Sequence, residues 1–174
     1  MNYQLKAFGN ILILFAFVGL SLIFLPPVRQ EARYRFKDLM GIKPSENIKP
    51  KNTDFGIVIP KIDANQKVYA NVDAGNEREY QAVLQKGVAH AEGTFFPGQK
   101  GNIYLFAHST DNFWDVGRYN AIFYLLKDLK KDDDIVIFSK DVRHNYKVTH
   151  SSVISPSNVS YLTKAETGKE VLIL

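Results

Sequence analysis

Between Ala7 and Leu25 the chain is apolar at almost every position, interrupted only by Gly9, Asn10, Gly19 and Ser21. As a helix rising 1.5 Å per residue this run reaches roughly 28 Å, close to the hydrocarbon thickness of a bilayer, so it predicts a transmembrane helix. Pro26-Pro27 follows where a cleaved leader would carry small residues, which favours an uncleaved anchor over residues 1–28. From Val28 to about Asp54 the pattern turns polar, and two Lys-Pro steps in GIKPSENIKPKNTD disfavour continued helix. Residues 29–54 are therefore expected to be a stalk or linker, with Arg29 to Met40 able to extend the helix as a charged segment.

A third pattern begins at residue 55 and runs to residue 174. Phe55 to Ile59 is a β-branched run closed by Pro60, and Val68 to Val72 is a second strand candidate. Asn76 and Glu79 have the spacing of a capping box; Tyr80, Val83 and Leu84 share a face, and Gly87 follows as a stop, so a short helix is predicted there. Asn102 to Ala107 is apolar on both alternating faces, as in a central strand of a closed sheet. Ile122, Leu125, Leu126 and Leu129 recur at helical spacing and predict another short helix. Asp132-Asp133-Asp134 turns into Ile135 to Phe138, and after Ser139 to Asp141 comes a strand in which Tyr146 and Val148 alternate with polar residues. Ser155-Pro156-Ser157-Asn158 marks a further turn before the last apolar run, Val171 to Leu174. Many short strands with two small helices predict a mostly-β barrel.

Composition narrows the function classes. The 174 residues, 45% hydrophobic and 23% charged, suffice for one domain and an appendage. The formal charge of +4 is scattered, with no long basic block, so nucleic acid is not an expected partner. The chain has no cysteine, which removes disulfides and Cys-ligated metal. Lys6 precedes the apolar helix while Arg29, Arg33, Arg35 and Lys37 follow it, a positive-inside count that points the domain to the cytoplasm; long domains translocate largely regardless of such charges.

Several pieces in order carry a resemblance: the entry strand FGIVIPKI, the GVAHAEGT and FPGQKGN turns, the strand ending in AHS, the passage FYLLKDLKKDDDIVIF, the NYKV strand and the closing VLIL. Together they resemble sortases, the membrane-anchored cysteine transpeptidases of bacterial cell surfaces, over most of residues 55 to 174. That resemblance implies a sortase-like closed β-barrel with short helices, and it makes His108, in the Ala107-His108 pair at the end of its strand, the catalytic histidine. An alanine stands where the family usually has glycine. After the counterpart of VLIL the family places a Thr-Cys pair, then a strand carrying an essential arginine, and neither is present. The expectation is thus a barrel incomplete at its C-terminal side, a chain inactive by itself, and a coding frame that continues past Leu174, since a natural terminus seldom falls inside a core strand.

The resemblance also implies partners: a sorting-signal peptide of secreted proteins, a cell-wall or pilin amine as acceptor, and a membrane holding the N-terminal helix with the domain outside the cell. No cofactor and no metal are implied. A cysteine sulfur forms the thioester, and an imidazole titrating near neutrality can take the proton of its thiol and return it to the leaving amine. His90 is expected to brace a turn by hydrogen bonding. His144 and His150 lack neighbouring ligands for a metal. Ser109 beside His108 points the opposite way on an extended chain and sits in no Gly-x-Ser-x-Gly elbow. Asp132 to Asp134 read as a solvated turn rather than a calcium loop. Phe113, Trp114 and Tyr119 suit a groove or a core roof equally, and Asn158-Val159-Ser160 matches a glycosylation acceptor by pattern only. A catalytically inactive, membrane-tethered peptide-binding or scaffold module is the alternative, ahead of a generic anchored β-domain.

Overall fold

The computed structural model describes residues 3–40, 48–108, 123–155 and 168–174, without the side chains of residues 3–5, 22–30, 37 and 38. Ser109, Phe113, Trp114, Tyr119, Ile122 and the Asn158 to Ser160 pattern lie outside the described residues.

Helix α1, Tyr3–Leu39, runs through Pro26-Pro27 and joins the apolar run to the charged segment. Its described apolar side chains are exposed on all sides, from Phe8 and Ile11 to Val18 and Leu20. Among the described residues no helix is long and apolar enough to cross a membrane.

The sheet strands are β1 (Phe55–Ile59), β2 (Ala64–Val72), β3 (Val88–Ala91), β4 (Gly101–Phe106), β5 (Asp134–Ser139), β6 (Val142–Lys147) and β7 (Glu170–Ile173). They form one seven-stranded sheet in the order β6-β5-β1-β2-β3-β4-β7. Its concave face encloses a core built from Phe55, Ile57 and Ile59 of β1, Ile103 and Leu105 of β4, Ile135 and Ile137 of β5, and Leu125 from the 3₁₀ turn Tyr124–Asp128. The short helix expected over 122–129 is this 3₁₀ turn within the described residues. Leu125 is buried and Tyr124 and Leu126 pack against the core, an arrangement that one 3₁₀ turn meets over a short span.

Helix α2, Glu77–Leu84, is capped as its sequence predicts: the Asn76 side chain accepts the Glu79 N–H at 3.3 Å. It lays Tyr80, Val83 and Leu84 on the outer face of β2 to β4, against Val72, Ala89 and Phe106. The β5–β6 turn places Lys140 (φ 51°) and Asp141 (φ 63°) in the left-handed region, the geometry of a two-residue type I′ hairpin. Strand β3 was not anticipated; its four residues are all buried, so GVAHA has none of the polar alternation that marks a half-exposed strand.

The two edge strands of the sheet approach each other across a seam. Tyr146 of β6 donates its hydroxyl to Glu170 of β7, and the same carboxylate oxygen accepts the Gly98 N–H at 3.0 Å. A nearly closed barrel results, joined at this seam by side chains.

Candidate active site

From Ile103 onward strand β4 alternates. Ile103 and Leu105 are fully buried in the barrel, and Ala107 packs on the same core, whereas Tyr104 and Phe106 stay half-buried on the outer face. His108 follows two residues after the end of β4 at Phe106, and so stands at the carboxyl end of the strand, on the barrel's rim. Its carbonyl accepts the Phe123 N–H at 3.3 Å, tying the end of β4 to the start of the 3₁₀ turn. The imidazole is half-buried, and this burial holds its pKa below the usual 6.5. A histidine so placed is neutral at pH 7 and able to accept a proton.

The outer face of β4 is aromatic. Phe106 meets Tyr80 edge-on at 6.2 Å and Tyr104 at 6.2 Å with a tilt of 46°. Strand β7 runs parallel to β4, with Gly101 opposite Glu170 and Tyr104 opposite Ile173. Both strands therefore point their carboxyl ends at the same rim, and His108 stands there.

The other sequence candidates are elsewhere. His90 of β3 is fully buried inside the barrel, opposite Leu105 in register. Its Nδ1 accepts the Asn71 N–H at 3.3 Å, which leaves the proton on Nε2; that N–H points to the Phe95 carbonyl at 2.9 Å and the Thr94 hydroxyl at 3.1 Å. The Thr94 hydroxyl donates to the Ala91 carbonyl at 2.7 Å and accepts the Tyr104 N–H at 3.4 Å. His90 thus braces the turn between β3 and β4, and burial lowers its pKa despite the Phe95 carbonyl. It does not share the rim with His108.

His144 lies on β6 opposite Ile137, and His150 is exposed after that strand. Among the described residues no group of three His, Cys, Asp or Glu side chains is placed to hold a metal. The Asp133 and Asp134 carboxylates serve the fold. Asp133 accepts the Lys130 N–H at 2.5 Å and the Lys61 ammonium at 2.8 Å, and Asp134 pairs with Lys147 at 2.6 Å, its partner directly across the hairpin. Nothing in the sequence announced the Tyr146, Glu170 and Gly98 contact, because its members are brought together only by closure of the sheet.

This arrangement defines a class: a nearly closed, mostly-β barrel presenting one imidazole where two parallel strands end. Residues 57–174 match the family model of the sortase domain, and the chain belongs to the sortase family, whose members are cysteine transpeptidases. Sortase D of Bacillus subtilis (strain 168) is 25% identical over 116 residues, which are 67% of this chain and 50% of that protein. The chain thus matches about half the length of this curated relative. Among solved structures, the Clostridium perfringens sortase D5 transpeptidase has 20% identity and a TM-score of 0.54, with 87% of this chain and 88% of that one covered. The structure of Clostridium perfringens sortase C with the C-terminal cell wall sorting motif has 22% identity and a TM-score of 0.51, covering 80% of this chain and 72% of that one.

Proposed function

We propose that this chain is the histidine-bearing part of a sortase-type transpeptidase that cleaves a sorting peptide near the carboxyl end of secreted proteins and transfers the acyl group to a cell-wall or pilin amine. The observation that carries this reading is the parallel pairing of β4 and β7, which turns both carboxyl ends toward the rim where His108 stands. His108 is the catalytic histidine. Neutral at pH 7, it takes the proton of a thiol as that sulfur attacks the peptide carbonyl, and as imidazolium it returns the proton to the departing amine. The chain holds no thiol, and a polypeptide continuing from β7 would deliver one beside His108. An arginine donating to the oxyanion would come from the same continuation.

The peptide partner is supported by the sorting motif in the related sortase C structure. The membrane partner is supported by α1, whose exposed side chains are apolar all round between Phe8 and Leu20, a surface suited to lipid. In this reading residues 1–28 anchor the protein as a single pass, residues 29–54 connect, and the barrel from residue 55 works outside the cell. The lack of cysteine favours one second reading, a tethered peptide-binding module without turnover.

The decisive experiment uses the product of the intact reading frame, incubated with a sorting peptide and an amine acceptor. Wild type forms a thioester and then the transpeptidation product, and His108→Ala loses at least about a thousandfold in kcat/KM while still binding peptide. Turnover surviving in His108→Ala overturns the role of the imidazole; a reading frame without a thiol near the β4 rim overturns the enzyme in favour of the binding module.

A further inference from the structure

Strand directions bring two turns to the His108 end of the barrel. β1 runs antiparallel to β2, β2 parallel to β3 and β3 antiparallel to β4, so β1 and β4 point the same way and both end on the rim that carries His108. After β1 comes the 3₁₀ turn Pro60–Ile62, which packs against the 3₁₀ turn Tyr124–Asp128. Ile62 and Leu125, one from each turn, are buried in the same core.

A series of hydrogen bonds leads away from His108 through the second turn. The His108 carbonyl accepts the Phe123 N–H at 3.3 Å, the Phe123 carbonyl accepts the Leu126 N–H at 3.1 Å, and the Leu126 carbonyl accepts the Leu129 N–H at 3.1 Å. The next amide leaves the backbone series. Lys130 N–H donates to Oδ2 of Asp133 at 2.5 Å, and the same oxygen takes the Lys61 ammonium, from the turn after β1, at 2.8 Å.

Asp133 is a fixed post rather than a mobile side chain. Its carbonyl accepts the Val148 N–H at 3.0 Å, and the Val148 carbonyl accepts the Asp132 N–H at 2.9 Å, so the residue following β6 pins its backbone. The Lys61 and Asp133 side chains are only 18% and 21% exposed, against 59% for each partner of the Lys147–Asp134 pair on the same rim. A shielded carboxylate oxygen with two donors is held far more firmly than a solvated surface pair.

We propose that Asp133, held by Lys61, is a positioning residue for His108: its carboxylate terminates the hydrogen-bonded bracket that fixes the end of β4 at the rim. Asp133 touches no reacting atom and acts through the turn. Without it the Lys130 N–H is released, the turn loosens from its far end, and the Phe123 N–H no longer holds the His108 carbonyl in place. Proton transfer is sensitive to displacements of the order of 1 Å, so the imidazole needs such a brace. The catalytic consequence rests on the sortase reading of His108; the bracket itself does not.

The first arm of the test uses the 174-residue chain and requires no activity. In Asp133→Ala the Phe123 amide exchanges about tenfold faster relative to the core amide of Ile57, and the His108 imidazole, which titrates below 6.5 in wild type, moves toward 6.5. Lys61→Arg, which keeps the cation, stays with wild type. If Asp133→Ala fails to fold, Asp133→Asn, which keeps an acceptor for Lys130 but loses the charge that holds Lys61, lies between the two. A folded Asp133 variant with unchanged Phe123 exchange overturns the bracket, and an unchanged His108 titration overturns its hold on the imidazole. The second arm uses the product of the intact reading frame with a sorting peptide and an amine acceptor. There Asp133→Ala lowers kcat per folded molecule about tenfold while KM stays within about twofold, and Lys61→Arg retains kcat. An unchanged kcat overturns the positioning role. Turnover surviving in His108→Ala overturns the sortase reading of that histidine, while the exchange arm still decides the bracket.

Discussion

His90 and Asn71 meet inside the barrel wall: the Nδ1 of His90 accepts the Asn71 N–H at 3.3 Å, and Asn71 is held at φ 56° where the pairing of β2 with β3 slips register between Tyr69 and Val72. A backbone donor that the bulge takes out of the ladder is thereby satisfied by a side chain. The imidazole is packed between Phe96, with ring centroids 4.4 Å apart, and the edge of Phe55 at 5.7 Å. Replacing His90 by Ala leaves the Asn71 N–H and the Phe95 carbonyl without this partner and opens a void between the rings. A loss of at least about 2 kcal/mol is expected in urea unfolding.

The same contact predicts a pH dependence. Burial holds the His90 pKa below 6.5, so the unfolded chain takes up a proton before the folded one does. Stability is full above about pH 6.5 and declines as the pH falls below it, because protonation favours the unfolded state. His108, also lowered by burial, adds to the same trend. The urea midpoint of wild type should drop between pH 7.5 and 5.5, and His90→Gln should flatten part of that drop. An unchanged slope in the variant would remove His90 from this account.

Proton resonances of His108 offer a direct check on the rim. Its imidazole should titrate below 6.5 in a two-dimensional carbon–proton spectrum, assigned by its loss in His108→Gln. Because His108 is only half-buried as a whole residue, that substitution should cost less than the core substitution Leu125→Ala, about 1 kcal/mol.

The seam yields an alkaline prediction. Burial pushes the Tyr146 phenol far above its usual 10, and the hydrogen bond to Glu170 and that carboxylate's charge push it further. In Glu170→Gln the charge is gone and burial remains, so Tyr146 should ionise at lower pH than in wild type but still above 10, as read by absorbance at alkaline pH. For wild type, stability should fall as the pH rises past about 10, where the unfolded phenol releases its proton first.

Core packing makes a plainer prediction. Leu125 is fully buried against β1 and β4 residues although it belongs to a single 3₁₀ turn, and Leu125→Ala should cost about 2–5 kcal/mol in chemical unfolding.

Local chemistry was legible without any structure. The β-branched run at Phe55, the Asn76 cap, the two-faced apolar strand ending at Ala107-His108 and the alternation around Tyr146 each state their own conformation, because hydrophobic period and capping act over a few residues. The family resemblance, too, lay in the order of those pieces. Tertiary contact decided the rest. That GVAHA is a strand follows from burial on both faces, which the sheet imposes and no alternation reveals. That the polar segment before Phe55 is gripped at Lys49 and Lys51 follows from Asn65, an asparagine on β2. That β7 lies parallel to β4, and that Glu170 meets Tyr146 across the seam, depends on closure of a sheet whose partners stand far apart in the chain. Short-range rules specify what each segment becomes; which segments face one another is fixed only when the shared core has to be enclosed.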